Sequence, residues 1–340
     1  MNDLRDVAMG DIPDPVIKPH EALVQVRSVG VCGSDIHYYA HGRIGGYIVE
    51  PPFILGHECA GEVVALGSLV SGLSVGDRVA VEPGVPCRRC EFCAGGRYNL
   101  CPDVVFLATP PMQGAFCEYI SHDAEFLFKL PDEMNFADGA MLEPLSTGIQ
   151  AVKRSGMTVG DCVFIYGMGP IGLSTLQAFL AAGAGKVYVG DMRTKRLEMA
   201  LELGTCEAFD VSQVDVVGEI RERSAGLGPH IVVETAGAKQ STLETVEMAR
   251  RGGTVVLVGL APDPTVPMNM LAPIDKELDV RGVFRYCHTY PTAIALVERG
   301  AAELRSMVTH QYDLEATPMA LEDSVDPSPD RIKAIVNLDG

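Results

Sequence analysis

The chain has 340 residues, of which 47% are hydrophobic and 21% charged, a composition typical of a soluble globular protein with two domains. Its formal net charge of −18 disfavours highly anionic partners, so we expect neither a nucleic-acid nor a membrane partner. No apolar run approaches the roughly 20 residues that cross a bilayer. The first residues lack the basic start and apolar stretch of a secretory signal. We therefore expect a cytoplasmic protein.

The first part of the chain, to about residue 145, has the pattern of short strands. Alternating or β-branched apolar residues at 16–29, 62–66 and 77–82 lie between Gly and Pro turn signals. Loop-rich β-structure of this kind is a common scaffold for functional side chains. We expect this region to carry the reactive groups.

From about residue 162 the pattern changes to alternating strands and helices. Short strands are predicted at 163–166, 186–190, 208–210, 231–234 and 254–259, with helices at 173–182, 195–203, 214–223 and 241–250. This alternation implies right-handed crossovers and a doubly wound parallel sheet. We predict a β-rich domain over 1–145, a nucleotide-binding domain over 146–277, and a segment over 278–340 that completes the first domain.

A glycine-rich turn follows the first of these strands and opens the first helix. Its sequence, Gly167-Met168-Gly169-Pro170-Ile171-Gly172, matches GxGxxG, whose glycines let the backbone approach a pyrophosphate at the helix N-terminus. Asp191 ends the next strand, nineteen residues after Gly172. A carboxylate there accepts hydrogen bonds from the ribose hydroxyls and repels a 2′-phosphate, which favours NAD over NADP. Arg193 and Arg196 are nearby cations, so the strictness of this preference stays open.

Ten cysteines in such a chain point to metal binding or catalysis before disulfides. A group of four lies within fifteen residues: Cys87, Cys90, Cys93 and Cys101. Four thiolates on one loop are enough to close a tetrahedral zinc site with no open position. The spacing therefore predicts a structural zinc.

A second set of metal-binding side chains is spread along the chain. Cys32, His57 and Glu143 offer a thiolate, an imidazole and a carboxylate, a reasonable set for a catalytic zinc that keeps a water position. Each also has an ordinary interpretation: a small core residue, a satisfied buried histidine and a solvated carboxylate. Spacing alone does not decide between these interpretations.

Taken together, these segments resemble the zinc-containing medium-chain dehydrogenases and, within them, the sorbitol and xylitol (polyol) dehydrogenase group. The resemblance covers nearly the whole chain. Residues 31–38 and 56–62 resemble the zinc-cysteine and zinc-histidine segments found across the superfamily. Segments that are more selective for polyol enzymes occur at 42–47, 108–111, 142–146 and 282–287.

The resemblance implies an α/β fold with a GroES-like β-rich catalytic domain and a Rossmann domain, whose sheet is doubly wound and parallel. It also implies a catalytic zinc held by Cys32, His57, Glu58 and a water, with Glu143 near that water. Whether Glu143 binds the metal directly or through the water stays open. Typical alcohol dehydrogenases have a cysteine at this position, and a carboxylate makes the zinc more electrophilic.

Further roles are implied by the same resemblance. Asp35 would orient His57, Ser34 would contact the reacting oxygen, and His37 would pass its proton to solvent. Residues expected to line the polyol pocket are Tyr38, Tyr47, Phe106, Thr109, Phe284, Arg285 and Tyr286, with ordinary packing the favoured interpretation for Tyr47 and Phe106. Cofactor contacts beyond the glycine turn and Asp191 are expected at Arg196, Val258, Gly259, Leu260, Val283, Phe284 and Arg285.

The expected function is oxidation of a polyol secondary hydroxyl to a ketose, with NAD as hydride acceptor, one catalytic and one structural zinc per chain, and a homotetramer or homodimer as the assembly. One alternative is an L-threonine 3-dehydrogenase, which shares both zinc motifs but is disfavoured by Glu143 and the pair Arg285-Tyr286. Another is a nucleotide-binding protein that has lost catalysis, disfavoured by the intact metal ligands. Sorbitol, xylitol and L-arabinitol all stay open as substrates.

Overall fold

The computed structural model describes residues 1–261, 265–326 and 328–338. Their contacts divide the chain into two compact units. Unit 1 contains Met1–Glu143, Tyr290–Glu298 and Leu304–Gly340, and unit 2 contains Pro144–Thr289 and Arg299–Glu303. Within the described ranges, no helix combines the length and apolar character needed to cross a membrane.

The regular elements are numbered in chain order. The strands are β1 (Glu21–Gly30), β2 (Arg43–Ile44), β3 (Tyr47–Ile48), β4 (Glu58–Leu66), β5 (Arg78–Val81), β6 (Gly84–Val85), β7 (Val105–Phe106), β8 (Tyr119–Asp123), β9 (Leu127–Lys129), β10 (Cys162–Tyr166), β11 (Lys186–Asp191), β12 (Glu207–Asp210), β13 (Ile231–Glu234), β14 (Thr254–Leu257), β15 (Asp279–Gly282), β16 (Val308–Asp313) and β17 (Lys333–Asn337). The α-helices are α1 (Gly33–His41), α2 (Glu91–Ala94), α3 (Phe136–Ser155), α4 (Pro170–Ala181), α5 (Thr194–Glu202), α6 (Val216–Arg223), α7 (Lys239–Met248), α8 (Leu271–Lys276), α9 (Tyr290–Glu298) and α10 (Thr317–Val325).

Unit 1 is built on a seven-stranded sheet in the order β16-β17-β1-β4-β5-β9, with β8 also paired to β1. The inward side chains of the first strands alternate with partly exposed ones, as expected for a sheet with one face on a core. A buried cluster holds Val24, Val26, Val29, Val63, Val79 and Val81. The tail of the chain enters this sheet through β16 and β17, which are parallel to each other.

The centre of this sheet brings three strand ends together. Gly30, the last residue of β1, is paired with Glu58, the first residue of β4, and with Ile335 of β17. Because both pairings are antiparallel, the end of β1 meets the beginnings of β4 and β17. Residues close to positions 30, 58 and 333 therefore become neighbours despite their separation in sequence.

Unit 2 contains a six-stranded parallel sheet in the order β12-β11-β10-β13-β14-β15. Four consecutive residues of β10, Val163 to Tyr166, are buried, as expected for a parallel strand covered by helices on both faces. The chain runs outward from β10 through β11 to β12, then returns to β13 on the other side of β10. This reversal of strand order marks the point where ligands bind in doubly wound sheets.

Two differences from the sequence prediction have physical causes. The first strand begins at Glu21 rather than at residue 16, because Pro19 lacks an N–H for a ladder, and Val16 is 88% exposed. The sheet of unit 2 also extends past the predicted boundary at residue 278, since β15 pairs with β14. The other strands of this sheet lie within about two residues of their predicted positions.

Candidate functional site

Three of the predicted metal-binding side chains come together at the strand junction of unit 1. Cys32, His57 and Glu58 each offer a ligand atom, and these atoms all lie within 4.8 Å of one another. Cys32 follows the end of β1, and Glu58 opens β4, so the register of the two strands produces the cluster. His57 and Glu58 are buried. A thiolate, an imidazole and a carboxylate in this arrangement fit a zinc ion.

Asp35 connects the two segments that carry this cluster. Its Oδ2 accepts a hydrogen bond from the Cys32 N–H at 2.9 Å, and its Oδ1 accepts one from the Gly56 N–H at 2.9 Å. The same Oδ1 lies 3.7 Å from Nδ1 of His57. Asp35 is fully buried. A carboxylate on one ring nitrogen holds the imidazole in the orientation that presents the other nitrogen to a metal.

Buried charges also set the protonation of the imidazole. Burial lowers the pKa of His57, but the Cys32 thiolate and the Asp35 carboxylate more than offset this, so the net pKa lies well above its ordinary value. The raised pKa favours the protonated imidazole beside Cys32 and Asp35. A bound metal ion would replace this proton as the positive charge of the cluster.

Lys333, which sequence reasoning missed, is the counter-ion of Glu58. Its ammonium group forms an ion pair with Oε2 of Glu58, and the two side chains are only 2% and 1% exposed. It also donates a hydrogen bond to the Val31 carbonyl at 2.9 Å. Burial lowers the pKa of Lys333, but Glu58 and Cys32 outweigh it and the net pKa is raised. The charged lysine is the first residue of β17, and mainly apolar residues follow it. A lysine in such a strand is the sequence feature that could have indicated a buried ion pair.

Gly30 leaves the space that this ion pair occupies. A Cβ at Gly30 would lie 2.0 Å from Oε2 of Glu58 and 3.0 Å from Cε of Lys333. Any larger residue would therefore displace the carboxylate from its partner.

The remaining predicted residues of unit 1 lie on several different elements. Glu143 is buried on α3 and acts electrostatically on Lys333. Ser34 and His37 lie on α1, directly after Cys32. The Phe106 ring packs against the His57 ring at 5.6 Å between centroids. Tyr38 is buried against Phe53 in a hydrophobic cluster, Tyr47 is 45% exposed on β3, and Thr109 is partly buried in the loop after β7.

The four cysteines of the predicted structural site also converge. Cys87, Cys90, Cys93 and Cys101 have sulfur atoms within 4.8 Å of one another. The short helix α2 brings Cys90 and Cys93 to 3.4 Å, and Cys101 Sγ accepts a hydrogen bond from the Cys87 N–H at 3.3 Å. Hydrogen bonds from backbone amides, first that of Arg89, lower the pKa of Cys87 to about 7. This geometry suits four-sulfur coordination of zinc.

The glycine-rich turn of unit 2 has the shape that a dinucleotide needs. Gly167 has a φ of +84°, in the left-handed region that glycine tolerates. A Cβ at Gly172 would lie 1.7 Å from the Gly167 carbonyl oxygen, so only glycine permits this helix to start so close to the strand. Gly169 is the N-cap of α4 and has no side chain to occupy the space before the first amides, and Pro170 begins the helix. The N-terminal amides thus face the position of a phosphate.

Asp191 ends β11 and is tied to the glycine turn. Its Oδ2 accepts a hydrogen bond from the Met168 N–H at 2.6 Å, and its Oδ1 accepts one from the Arg193 N–H at 2.9 Å. Arg196 lies 3.6 Å from the same carboxylate, and burial lowers its pKa despite that partner. Asp191 is thereby fixed beside the turn, where an adenosine ribose would lie.

The other predicted cofactor residues follow β14 and β15 at the same carboxyl edge of the sheet. Val258 and Gly259 donate backbone hydrogen bonds to the Glu234 carbonyl at 2.8 and 3.0 Å, and Leu260 is 67% exposed. Val283 donates to the Leu257 carbonyl at 2.9 Å. After it, the Arg285 guanidinium lies over the Phe284 ring at 4.9 Å, and Tyr286 is buried.

Replacing Lys333 with methionine tests the buried ion pair. We expect the free energy of unfolding to fall by about 3–5 kcal/mol, because Glu58 would keep a buried charge without its cation. Denaturant unfolding measures the change. Lys129→Met is the matched control in the same sheet, since Lys129 pairs with Asp77 at 2.7 Å but is 51% exposed. Its loss should be about 1 kcal/mol or less, and an equally small loss for both variants would contradict the interpretation.

Comparisons with known proteins agree with this geometry. Residues 18–132 match the alcohol dehydrogenase GroES-like domain, and residues 170–299 match the zinc-binding dehydrogenase family. A sorbitol dehydrogenase of Bacillus subtilis (strain 168) is 44% identical over 99% of this chain and 95% of its own length. The sorbitol dehydrogenase of Homo sapiens is 43% identical, covering 93% of this chain and 89% of that protein.

A solved structure gives the same result for the fold. A crystal structure from Escherichia coli, described as an oxidoreductase/dehydrogenase of unknown specificity involved in membrane biogenesis, superposes with a TM-score of 0.96 at 38% identity. The match covers 100% of this chain and 98% of that one. The predicted fold class, GroES-like plus Rossmann, is confirmed. The chain belongs to the zinc-binding dehydrogenase family, in its sorbitol dehydrogenase group.

Proposed function

We propose that this oxidoreductase oxidises a secondary hydroxyl of a polyol to a ketone, with zinc as Lewis acid and NAD as hydride acceptor. The observation that carries the proposal is the convergence of Cys32, His57 and Glu58 in a chain that also has the glycine-rich dinucleotide turn. The sorbitol dehydrogenases that are 43–44% identical over nearly the whole chain support the polyol as substrate class.

The residues of unit 1 have separate roles in binding the metal and in positioning its ligands. Zinc held by Cys32, His57 and Glu58 would lower the pKa of the substrate hydroxyl. Asp35 orients His57, and Lys333 holds Glu58 in place through their buried ion pair.

The proton of the hydroxyl leaves through Ser34 towards His37. Burial, with a contribution from His41, lowers the pKa of His37, so this imidazole is neutral near pH 7 and able to accept a proton. Glu143, buried on α3, is a further carboxylate of unit 1 in addition to Asp35 and Glu58, and it offers another path for the proton. Near-neutral operation requires an acceptor of this kind.

The residues of unit 2 position the cofactor. The turn at 167–172 holds the pyrophosphate, and Asp191 accepts hydrogen bonds from the adenosine ribose. The pairing of Arg196 with Asp191 supports NAD over NADP, because the nearby cation is already engaged. Arg285 and Tyr286 offer donors to polyol hydroxyls. In unit 1, the residues proposed to contact the substrate are Tyr38, Phe106, Thr109 and Glu143.

A kinetic panel tests the substrate and cofactor together. Sorbitol, xylitol, L-arabinitol and L-threonine are each offered with NAD and with NADP, and NADH or NADPH formation is followed by absorbance. We expect at least one polyol to be oxidised with NAD at a kcat/KM well above its value with NADP. Threonine should give no comparable rate. Turnover of threonine without any polyol would contradict the proposal.

Zinc content separates the two proposed metal sites. The Cys32→Ser variant should lose one zinc per chain and its catalytic activity. Its unfolding temperature should stay near that of the wild type, since the structural zinc site is intact. Cys93→Ser, the matched substitution in the other site, should lose the other zinc and unfold at lower temperature. Metal analysis, activity and calorimetry give the three readings. Full activity in a Cys32→Ser protein that lacks this zinc would contradict the scheme.

We also propose that the protein is a cytoplasmic homo-oligomer, with a tetramer expected. Thiolate zinc sites and free cysteines suit a reducing compartment. Strand β15 is an edge of its sheet with Val280 44% exposed, and Leu271 and Ile274 on the preceding helix are more than 70% exposed. A second copy of the chain is the occupant that we assign to this apolar edge. Light scattering should give four times the 36.3 kDa of one chain, and a monomer would contradict it.

A further inference from the structure

A buried carboxylate at the end of β13 has no part in the proposed reaction. Glu234 is the last residue of that strand and is 1% exposed. Strand β13 lies beside β10, at the reversal of strand order where doubly wound sheets bind their ligands. A charge at this position needs partners, since an unpaired buried carboxylate is costly.

The partners of this carboxylate are donors in the loop that follows it. Oε1 accepts hydrogen bonds from the backbone amides of Ala236 and Gly237, both at 3.0 Å, and from the Ser241 hydroxyl at 2.7 Å. Oε2 also lies 3.1 Å from the Gly237 amide. One side chain thus fixes the loop after β13 and the first turn of α7.

The same residue supports the loop after β14. Its backbone carbonyl accepts the hydrogen bonds from Val258 and Gly259. A Cβ at Gly259 would lie 2.5 Å from Oε2 of Glu234, so the two loops meet directly over the carboxylate. Gly237, with a φ of +66°, is equally close to the next loop, since a Cβ there would lie 2.4 Å from the Leu260 carbonyl oxygen.

The loop held by Glu234 is also joined to the glycine-rich turn. The Thr235 hydroxyl contacts the carbonyl oxygens of Tyr166 and Gly167, both at 2.8 Å. A Cβ at Gly167 would lie 2.9 Å from the Ala236 nitrogen. The segments after β10, β13 and β14 therefore form one connected wall around a single anion.

We infer that Glu234 is a positioning residue for the nicotinamide half of the dinucleotide, an inference that rests on the proposed use of NAD. A doubly wound sheet binds one mononucleotide on each half. The turn and Asp191 belong to the β10–β11 half, which takes adenosine, whereas Glu234 holds the loops of the β13–β14 half. An ionised carboxylate suits this place because it accepts several hydrogen bonds and donates none.

Glu234→Gln tests the inference at nearly constant size. Because glutamine carries an NH₂ group, with two N–H donors, where the carboxylate has an acceptor oxygen, this group would oppose the Gly237 or Ser241 donor. We expect the Kd of NADH, measured by fluorescence titration of the zinc-loaded protein, to rise about 10-fold. The Kd of AMP, measured by competition, should stay within about twofold because AMP occupies only the adenosine half.

The matched control is Glu244→Gln, on helix α7, which follows β13 in the chain. Glu244 accepts a hydrogen bond from the Tyr166 hydroxyl at 2.7 Å but does not hold the loops, so both dissociation constants should stay at the wild-type values. Ser241→Ala is the second test variant, which removes one donor and keeps the charge. It should raise the Kd of NADH about threefold, and it decides the matter if Glu234→Gln does not fold.

The outcomes separate this inference from the proposed function. Failure of the wild-type protein to bind NADH would overturn the proposed function and the inference with it. Wild-type binding that is unchanged in Glu234→Gln, or in Ser241→Ala if that variant alone folds, overturns the inference only. Equal weakening of AMP and NADH would overturn the assignment to the nicotinamide half.

Discussion

The meeting of three strand ends in unit 1 is the constraint on which the metal site depends. The antiparallel registers of β1 with β4 and with β17 place both Cys32 and Lys333 beside Glu58. A shift of one residue in either register would turn these side chains to the opposite face of the sheet. The apolar core of alternating valines fixes the register, so hydrophobic packing determines the geometry of a polar site.

Concentrated buried charge is the energetic difficulty of this arrangement. The ionisable side chains of Cys32, Asp35 and Glu58 lie buried or partly buried beside His57, Lys333 and backbone amides. Such groups are tolerated in a protein interior only when each is paired or hydrogen-bonded. The same pairing holds the metal-binding side chains in place, which reduces the cost of ordering them on binding.

Unit 2 also uses buried carboxylates to fix its loops, with fewer charged groups than the metal site of unit 1. Its parallel strands end at a common edge, where backbone amides and two carboxylates organise the loops. Asp191 ties the glycine-rich turn to β11. Glu234 holds the loops that follow β13 and β14. In both places a carboxylate accepts amide hydrogen bonds and converts a flexible loop into a defined surface. Rigid loops of this kind are what orientation of a hydride acceptor requires.

The sequence by itself determined what is local: the strand and helix alternation of unit 2, the glycine-rich turn with Asp191, and the group of four cysteines. These follow from short-range periodicity, backbone conformation and spacing, so they can be recognised without coordinates. Spacing alone left Cys32 and His57 open, and resemblance to a family was needed to group them. The roles of Lys333 and Glu234 as buried partners were decided only by the tertiary structure. Strand register and loop packing over long sequence separations produce those contacts. A single charged residue in an apolar strand does not show which residue will be its partner.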